Sequence, residues 1–413
     1  MRSMLIFMLG LLVASQAVQA VQVSPYLHRQ LNQAYEQLEQ QPVKAVAQLQ
    51  ALLDSQKLDN YSRSLSLRLL AHGLLALDRD ADAITALHSV LRENALEPAV
   101  LQSVRANLGQ LLLSQQQYAD AQQILQQWLS HDNGATPQAR AKVAALLGST
   151  LFYQDQFEAA LSYFEQAVAS DIDASETGDS AWRRSVQRMR LSTLLQLKRY
   201  VAVQQLVKRL LADEPDNTDY WRILTASHLQ LEQYEQALNA FELSYQAGLL
   251  TAAETLQLAS LQIAQGVPGK AARLLEQQLK TPLPALQLRW YQLQGDAWLR
   301  AKEPEKAVAS YKQGLAASLE GTLELKLANT YLDQQQWSQA SFYFQAAQRK
   351  GQALKPAEYL RLGIAFLKNN ETKQAIATFE AIEPGAYHKQ AAEWLSYARR
   401  LSGLADRSEE KTI

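Results

Sequence analysis

The chain has 413 residues, of which 47% are hydrophobic and only 16 are Gly and 11 Pro, so helix is expected nearly throughout. A formal net charge of −1 removes the overall electrostatic bias of a nucleic-acid or anionic-membrane binder. With no cysteine, the chain cannot build a disulfide framework, a thiol nucleophile, a cysteine-ligated zinc or iron–sulfur site, or the lipidated cysteine of a bacterial lipoprotein.

The first stretch, MRSMLIFMLGLLVASQAVQA, places Arg2 before an apolar run from Leu5 to Ala14. Val18-Gln19-Ala20 then sets small residues where signal peptidase needs them. The run is too short to span a bilayer, which takes roughly 20 apolar residues, and no later segment is long enough either. Residues 1–20 read as a signal peptide cleaved after Ala20, giving a periplasmic chain with no integral membrane span; an uncleaved anchor is the alternative.

From there one pattern recurs. A small residue just inside a second helix is followed four residues later by a large apolar one: Ala45/Leu49, Ala83/Leu87, Ala121/Leu125, Ala160/Phe164, Val203/Val207, Ala237/Phe241, Ala271/Leu275, Ala307/Tyr311, Ala340/Phe344 and Ala375/Phe379. Upstream helices carry a Leu-small pair, as in Leu70-Ala71, Leu108-Gly109, Leu147-Gly148, Leu258-Ala259, Leu327-Ala328 and Leu362-Gly363. Small residues let two antiparallel helices approach while the large one fills the groove. One hairpin cannot bury its apolar face alone, so neighbours must stack. Pro42, Pro268 and Pro304 fall in the first turn of second helices, and Pro98, Pro137, Pro215 and Pro356 at or just before first helices, where a missing N–H costs nothing. Thr136-Pro137 reads as an N-cap followed by a first-turn proline.

With a period near 34 residues and stretches such as YWRILTASHLQLEQYEQALNAF (220–241), the chain resembles the tetratricopeptide repeat over roughly residues 26 to 384. The resemblance implies an all-α, right-handed superhelical solenoid of about ten helical hairpins with a C-terminal capping helix. The repeat divides into an N-terminal array (21–183) and a C-terminal array (184–385), followed by a capping helix (386–403) and a flexible tail (404–413). Two irregularities interrupt it: the acidic insertion SDIDASETGDSAW (170–182) and the stiff KTPLPALQ (280–287), whose Pro282 and Pro284 separate two halves.

Catalytic patterns are missing. His28, His72, His88, His131, His228 and His388 lie in different repeats without the i, i+4 spacing of a helical metal pair. GVPGKA (266–271) lacks the glycine spacing and the Ser or Thr of a phosphate loop and reads as a helix–helix turn. The expectation is a protein without enzyme activity, cofactor or metal.

Binding is expected on the concave face, which the first helix of each hairpin lines. On one helix this face carries Asp219, Arg222, Ala226 and Leu229, at spacings of three and four. The preceding helix offers Ser185, Arg188, Ser192 and Leu195. The following ones offer Ala253, Leu256, Ser260 and Ile263, then Arg289, Gln292, Asp296 and Leu299, then Thr322, Leu325, Asn329 and Leu332. Arginines, small polar groups and aliphatics in parallel suit an extended or helical peptide of a partner protein. A basic stretch with Arg183, Arg184, Arg190, Lys198 and Arg199 is either neutralised by the acidic insertion or a surface for an acidic partner; nucleic acid is not expected, because aromatic platforms are absent.

With a leader, about ten repeats and the stretch GLLTAAETLQLASLQIAQGVPGKAARLLE (248–276), the layout resembles the periplasmic tetratricopeptide component that accompanies TonB energy-transduction systems of gammaproteobacteria. That resemblance implies TonB/ExbB/ExbD components as partners and a role in iron–siderophore uptake. The alternatives are a scaffold for envelope polymer (exopolysaccharide or peptidoglycan) assembly or export, and a solenoid hydrolase.

Overall fold

The computed structural model describes residues 23–55, 57–131, 134–170, 180–278 and 284–409. The leader (1–20), the body of the acidic insertion (171–179) and Pro282 lie outside the described residues. Among those described there are only helices and turns, with no strand. The chain divides into two compact units, Met1–Arg199 and Tyr200–Ile413.

The first unit holds α1 (Pro25–Leu38), α2 (Pro42–Ser55), α3 (Asn60–Ala76), α4 (Asp80–Glu93), α5 (Pro98–Ser114), α6 (Tyr118–Ser130), α7 (Pro137–Phe152), α8 (Phe157–Ser170) and α9 (Ser180–Gln196). Here α1/α2, α3/α4, α5/α6 and α7/α8 are hairpins, each packed on the next. The first hairpin lacks the Leu-small pair, yet Leu27, Ala34 and Leu38 bury one face of α1. α9 packs on α8 and α7 and therefore belongs to this unit, which ends at Arg199 and not at residue 183.

The second unit holds α10 (Tyr200–Asp213), α11 (Thr218–Gln230), α12 (Tyr234–Gln246), α13 (Ala252–Ala264), α14 (Pro268–Gln278), α15 (Gln287–Arg300), α16 (Pro304–Gln313), α17 (Thr322–Asp333), α18 (Trp337–Arg349), α19 (Pro356–Lys368), α20 (Thr372–Glu380) and α21 (His388–Glu409). From α11 to α20 they pair as five stacked hairpins, and α21 packs on α20 and α19 as a closing helix. α21 runs through Glu409, taking in residues 404–409 that the sequence assigns to the tail.

Packing follows the repeat pattern closely. The small marker residue of every hairpin, from Ala45 to Ala375, is 0% exposed. Its large companion is buried too, with Leu49, Leu125, Phe164, Val207, Leu275, Tyr311 and Phe344 all at 0%. Gly148 marks how close the helices come, because a Cβ there would sit 2.9 Å from Phe164 Cε1 and 3.2 Å from the Ala160 carbonyl oxygen. Burying each large side chain contributes about 1.5–3 kcal/mol, and the stack repeats that gain along the chain.

Helix ends are set locally. Thr136 Oγ1 accepts from Ala139 N at 3.2 Å with Pro137 in the first turn of α7, as the sequence predicts. Inside the hairpins, the turn residues Asp78, Gln116, Asp155, Lys198, Glu232, Lys302, Gln335 and Asn370 have left-handed backbone. In each case the following amide reaches back to close the helix, as Arg79 N does to the Leu74 carbonyl at 2.9 Å.

Candidate protein-binding surface

A first helix has two jobs, and its residues separate accordingly. On α11, Tyr220, Leu224, Thr225 and His228 are buried, while Asp219, Arg222 and Ala226 are exposed and Leu229 is half-buried. The exposed set recurs at spacings of three and four, which keeps it on one helix face. His228 is a packed scaffold residue: its Nδ1 lies 2.7 Å from Gln233 Oε1, to which Gln204 Nε2 also donates at 3.0 Å.

The structure joins this row across repeats through side chains that the sequence reading passed over. Arg222 Nε donates to Glu254 Oε1 at 2.5 Å, and its Nη1 donates to Asp219 Oδ1 at 3.0 Å. Glu254 also caps α13, where its Oε2 accepts from Thr251 N at 2.8 Å. The Arg222 guanidinium, aided by Thr251, holds the Glu254 carboxyl down at about 2. Arg222 is therefore already occupied, and it is not the open hand for a partner's carboxylate that the sequence suggests.

Further along, Asp296 on α15 accepts from Tyr311 Oη at 2.6 Å and from Lys326 Nζ at 2.7 Å. Burial and the Asp296 charge push the Tyr311 hydroxyl well above the usual phenol range. Asn329 on α17 donates through Nδ2 to the Leu325 carbonyl, while its Oδ1 accepts from Arg361 Nη1 of α19 at 2.8 Å. Ser260 is half-buried and donates to the Leu256 carbonyl at 2.8 Å. Leu256, expected in the row, is 1% exposed and belongs to the core. Gln292 is half-buried, and Arg289 is exposed with no hydrogen bond or ion pair to the described residues.

In the first unit, α9 presents Ser185 and Arg188 exposed and Ser192 half-buried. Of the basic stretch, Arg184, Lys198 and Arg199 are exposed, and Arg183 and Arg190 half-buried. Two acids of α8 partly neutralise it: Arg199 Nη2 lies 2.6 Å from Glu158 Oε2, and Arg190 Nη2 lies 3.6 Å from Glu165 Oε1. The same row also continues N-terminally. Arg68 and Arg222 each stand fifteen positions before their hairpin's marker alanine, and Ser103 stands eighteen before Ala121, as Asp219 does before Ala237. Around Arg68 and Ser103, α3, α4 and α5 line a pocket of about 90 Å3. Applying the marker offsets to every hairpin would have singled out Arg68 and Ser103, though not the pocket between them.

Two segments match tetratricopeptide-repeat family models, residues 141–171, which span α7 and α8, and residues 325–391, which span α17 to α20. The chain carries tetratricopeptide repeats. Among solved structures it is similar to the C-terminal part of a tetratricopeptide-repeat protein from Cytophaga hutchinsonii, at 15% identity over 69% of this chain and 94% of that one, with a TM-score of 0.40. It is also similar to MamA, at 16% identity over 44% of this chain and 94% of that one (TM-score 0.35), and to the tetratricopeptide domain of P58(IPK), at 15% identity over 92% and 99% (TM-score 0.25). No curated protein matches the chain in sequence. Tetratricopeptide repeats suggest a protein–protein interaction scaffold, and no described helix is long and apolar enough to cross a membrane.

Proposed function

We propose that this tetratricopeptide-repeat chain is an exported scaffold whose first-helix row holds a segment of a partner protein. The observation that carries the reading is the division of labour on each first helix. Packing consumes one face, while the other keeps charged, amide and aliphatic side chains exposed or half-buried, Leu256 excepted. Such a series offers backbone-spaced contacts to an extended or helical peptide. Because Arg222 is held by Glu254 and Asp219, exposed Arg289 is the arginine of the row in the second unit that is left to meet a partner's carboxylate.

Export rests on Arg2, the apolar run to Ala14 and the small residues before Val21. The partner class rests on the resemblance of residues 248–276 to the TonB-associated component, which points to the TonB/ExbB/ExbD machinery. Crosslinking in the periplasm under iron-limited and iron-replete growth tests it. Recovery of TonB, ExbB or ExbD, reduced by Arg289→Glu, is the expected result, and recovery of none of them overturns this partner. A mature chain beginning at Met1 in place of Val21 overturns cleavage.

A further inference from the structure

The pocket between α3, α4 and α5 contains a cation without a counter-ion. Arg68 is half-buried in its wall, and among the described residues it makes neither a hydrogen bond nor an ion pair. The guanidinium is partly withdrawn from water, and no carboxylate of the described residues pairs with it, so an incoming anion would find it uncompensated. Burial accordingly depresses its pKa below the ordinary value for arginine.

Its surroundings select the missing partner. His72, one helical turn on, is half-buried, and burial followed by the nearby Arg68 lowers its pKa, so the ring stays neutral and offers one N–H at pH 7. Asn107 and Gln110 line the opposite wall from α5 with amide donors, beside Ser103, whose hydroxyl donates to the Ala99 carbonyl at 3.1 Å. Leu75 and Val104 supply an apolar strip, and no Asp or Glu lines the pocket. A water-sized probe needs roughly 10–15 Å3. The 90 Å3 present therefore accommodates a short chain of heavy atoms ending in a charged group, the size of a carboxylate with its methylenes.

We propose that this pocket receives one acidic side chain, glutamate or aspartate, of a bound protein segment, with its carboxylate on the Arg68 guanidinium and its methylenes on Leu75 and Val104. The proposal rests on the reading of the first-helix row as a peptide-binding surface. It adds a requirement for acid at one position of the ligand.

The test compares pooled short fluorescent peptides that carry a single Glu among Ala, Ser and Leu with the same pool carrying Gln, titrated against the mature chain. The small acid N-acetylglutamate N-methylamide is titrated in parallel. The Glu pool is expected to bind about tenfold tighter than the Gln pool, since a desolvated Arg–carboxylate pair is a strong, directional contact. Arg68→Gln should erase that preference without lowering the melting temperature, because it removes an unpaired cation. Ser103→Trp, placed at an exposed rim position, should block the pocket and likewise abolish the preference. Equal binding of both pools to the wild-type chain overturns the pocket assignment and leaves the peptide-binding row standing. If the small acid binds in an Arg68-dependent way while neither pool binds, the peptide source falls, and the scaffold reading with it. Absence of binding by all three overturns both.

Discussion

Arg222 on α11 donates to Glu254 on α13 at 2.5 Å, and Glu254 is at the same time the capping glutamate of its own helix. One carboxylate thus ties the start of a helix to the face of the preceding repeat. Its pKa of about 2, against an ordinary 4.5, means that the native state favours the ionised form. A depressed carboxylate gives stability that is fully present above about 4.5 and disappears as pH falls towards 2. Because the pair is solvent-screened on the Arg222 side, the contribution is small. Glu254→Gln should lower the urea midpoint at neutral pH and flatten its fall over that acid range. A variant whose midpoint tracks wild type at every pH would refute the link.

The Tyr311 hydroxyl is fully buried and donates to Asp296, which also holds Lys326 of the next hairpin. Tyr311→Phe keeps the ring that fills the groove beside Gly295 but removes the donor to a charged acceptor. The expected loss is about 1.5–3 kcal/mol. Lys326→Met should cost less in the Tyr311→Phe background than in wild type if the three groups act as a unit, and denaturant titration of the double-mutant cycle measures that coupling. Strict additivity would separate them.

These pairs also show where sequence reading stops. The small and large markers were legible because each pair is four residues apart and recurs in every repeat, and all ten small residues are buried where the pattern puts them. The partners of Arg222, Asp296 and Asn329 stand 32, 30 and 32 residues further on, and nothing local marks them. Which long side chain reaches a neighbouring repeat depends on how the hairpins stack, so Arg222 read as open to a partner, and Glu254 did not stand out. Arg68 was legible in principle, since it has the same offset from its marker as Arg222, but the pocket around it needs α4 and α5 in place. Leu256 misled for the opposite reason: its offset matches the row, yet it turns into the core.

Lys302, in the turn between α15 and α16, has φ +60°, a left-handed conformation that costs a side-chain-bearing residue about 1–2 kcal/mol. Gly266 occupies the equivalent turn between α13 and α14 at φ +79°. Lys302→Gly should therefore stabilise the second unit by about 0.5 kcal/mol after the extra chain entropy of glycine is subtracted. Gly266→Ala should destabilise it by about 1 kcal/mol. Thermal melts of the two variants that move in the same direction would contradict this account.

Gly148 and Ala328 hold the same place in the repeat, facing Phe164 and Phe344 respectively, but they are not interchangeable. At Gly148 a methyl would meet the Phe164 ring at 2.9 Å and the Ala160 carbonyl at 3.2 Å, and backbone cannot yield as a side-chain tip can. Gly148→Ala should cost about 1–3 kcal/mol through overpacking, in spite of the better helix propensity of alanine. Ala328, 0% exposed, already fills its space. Its replacement by glycine opens a methyl-sized void in a helix interior and should cost about 1 kcal/mol or more. Both substitutions are thus expected to lower the melting temperature, although one adds a carbon and the other removes one. A Gly148→Ala protein as stable as wild type would mean that α7 and α8 are further apart than the packing of Phe164 indicates.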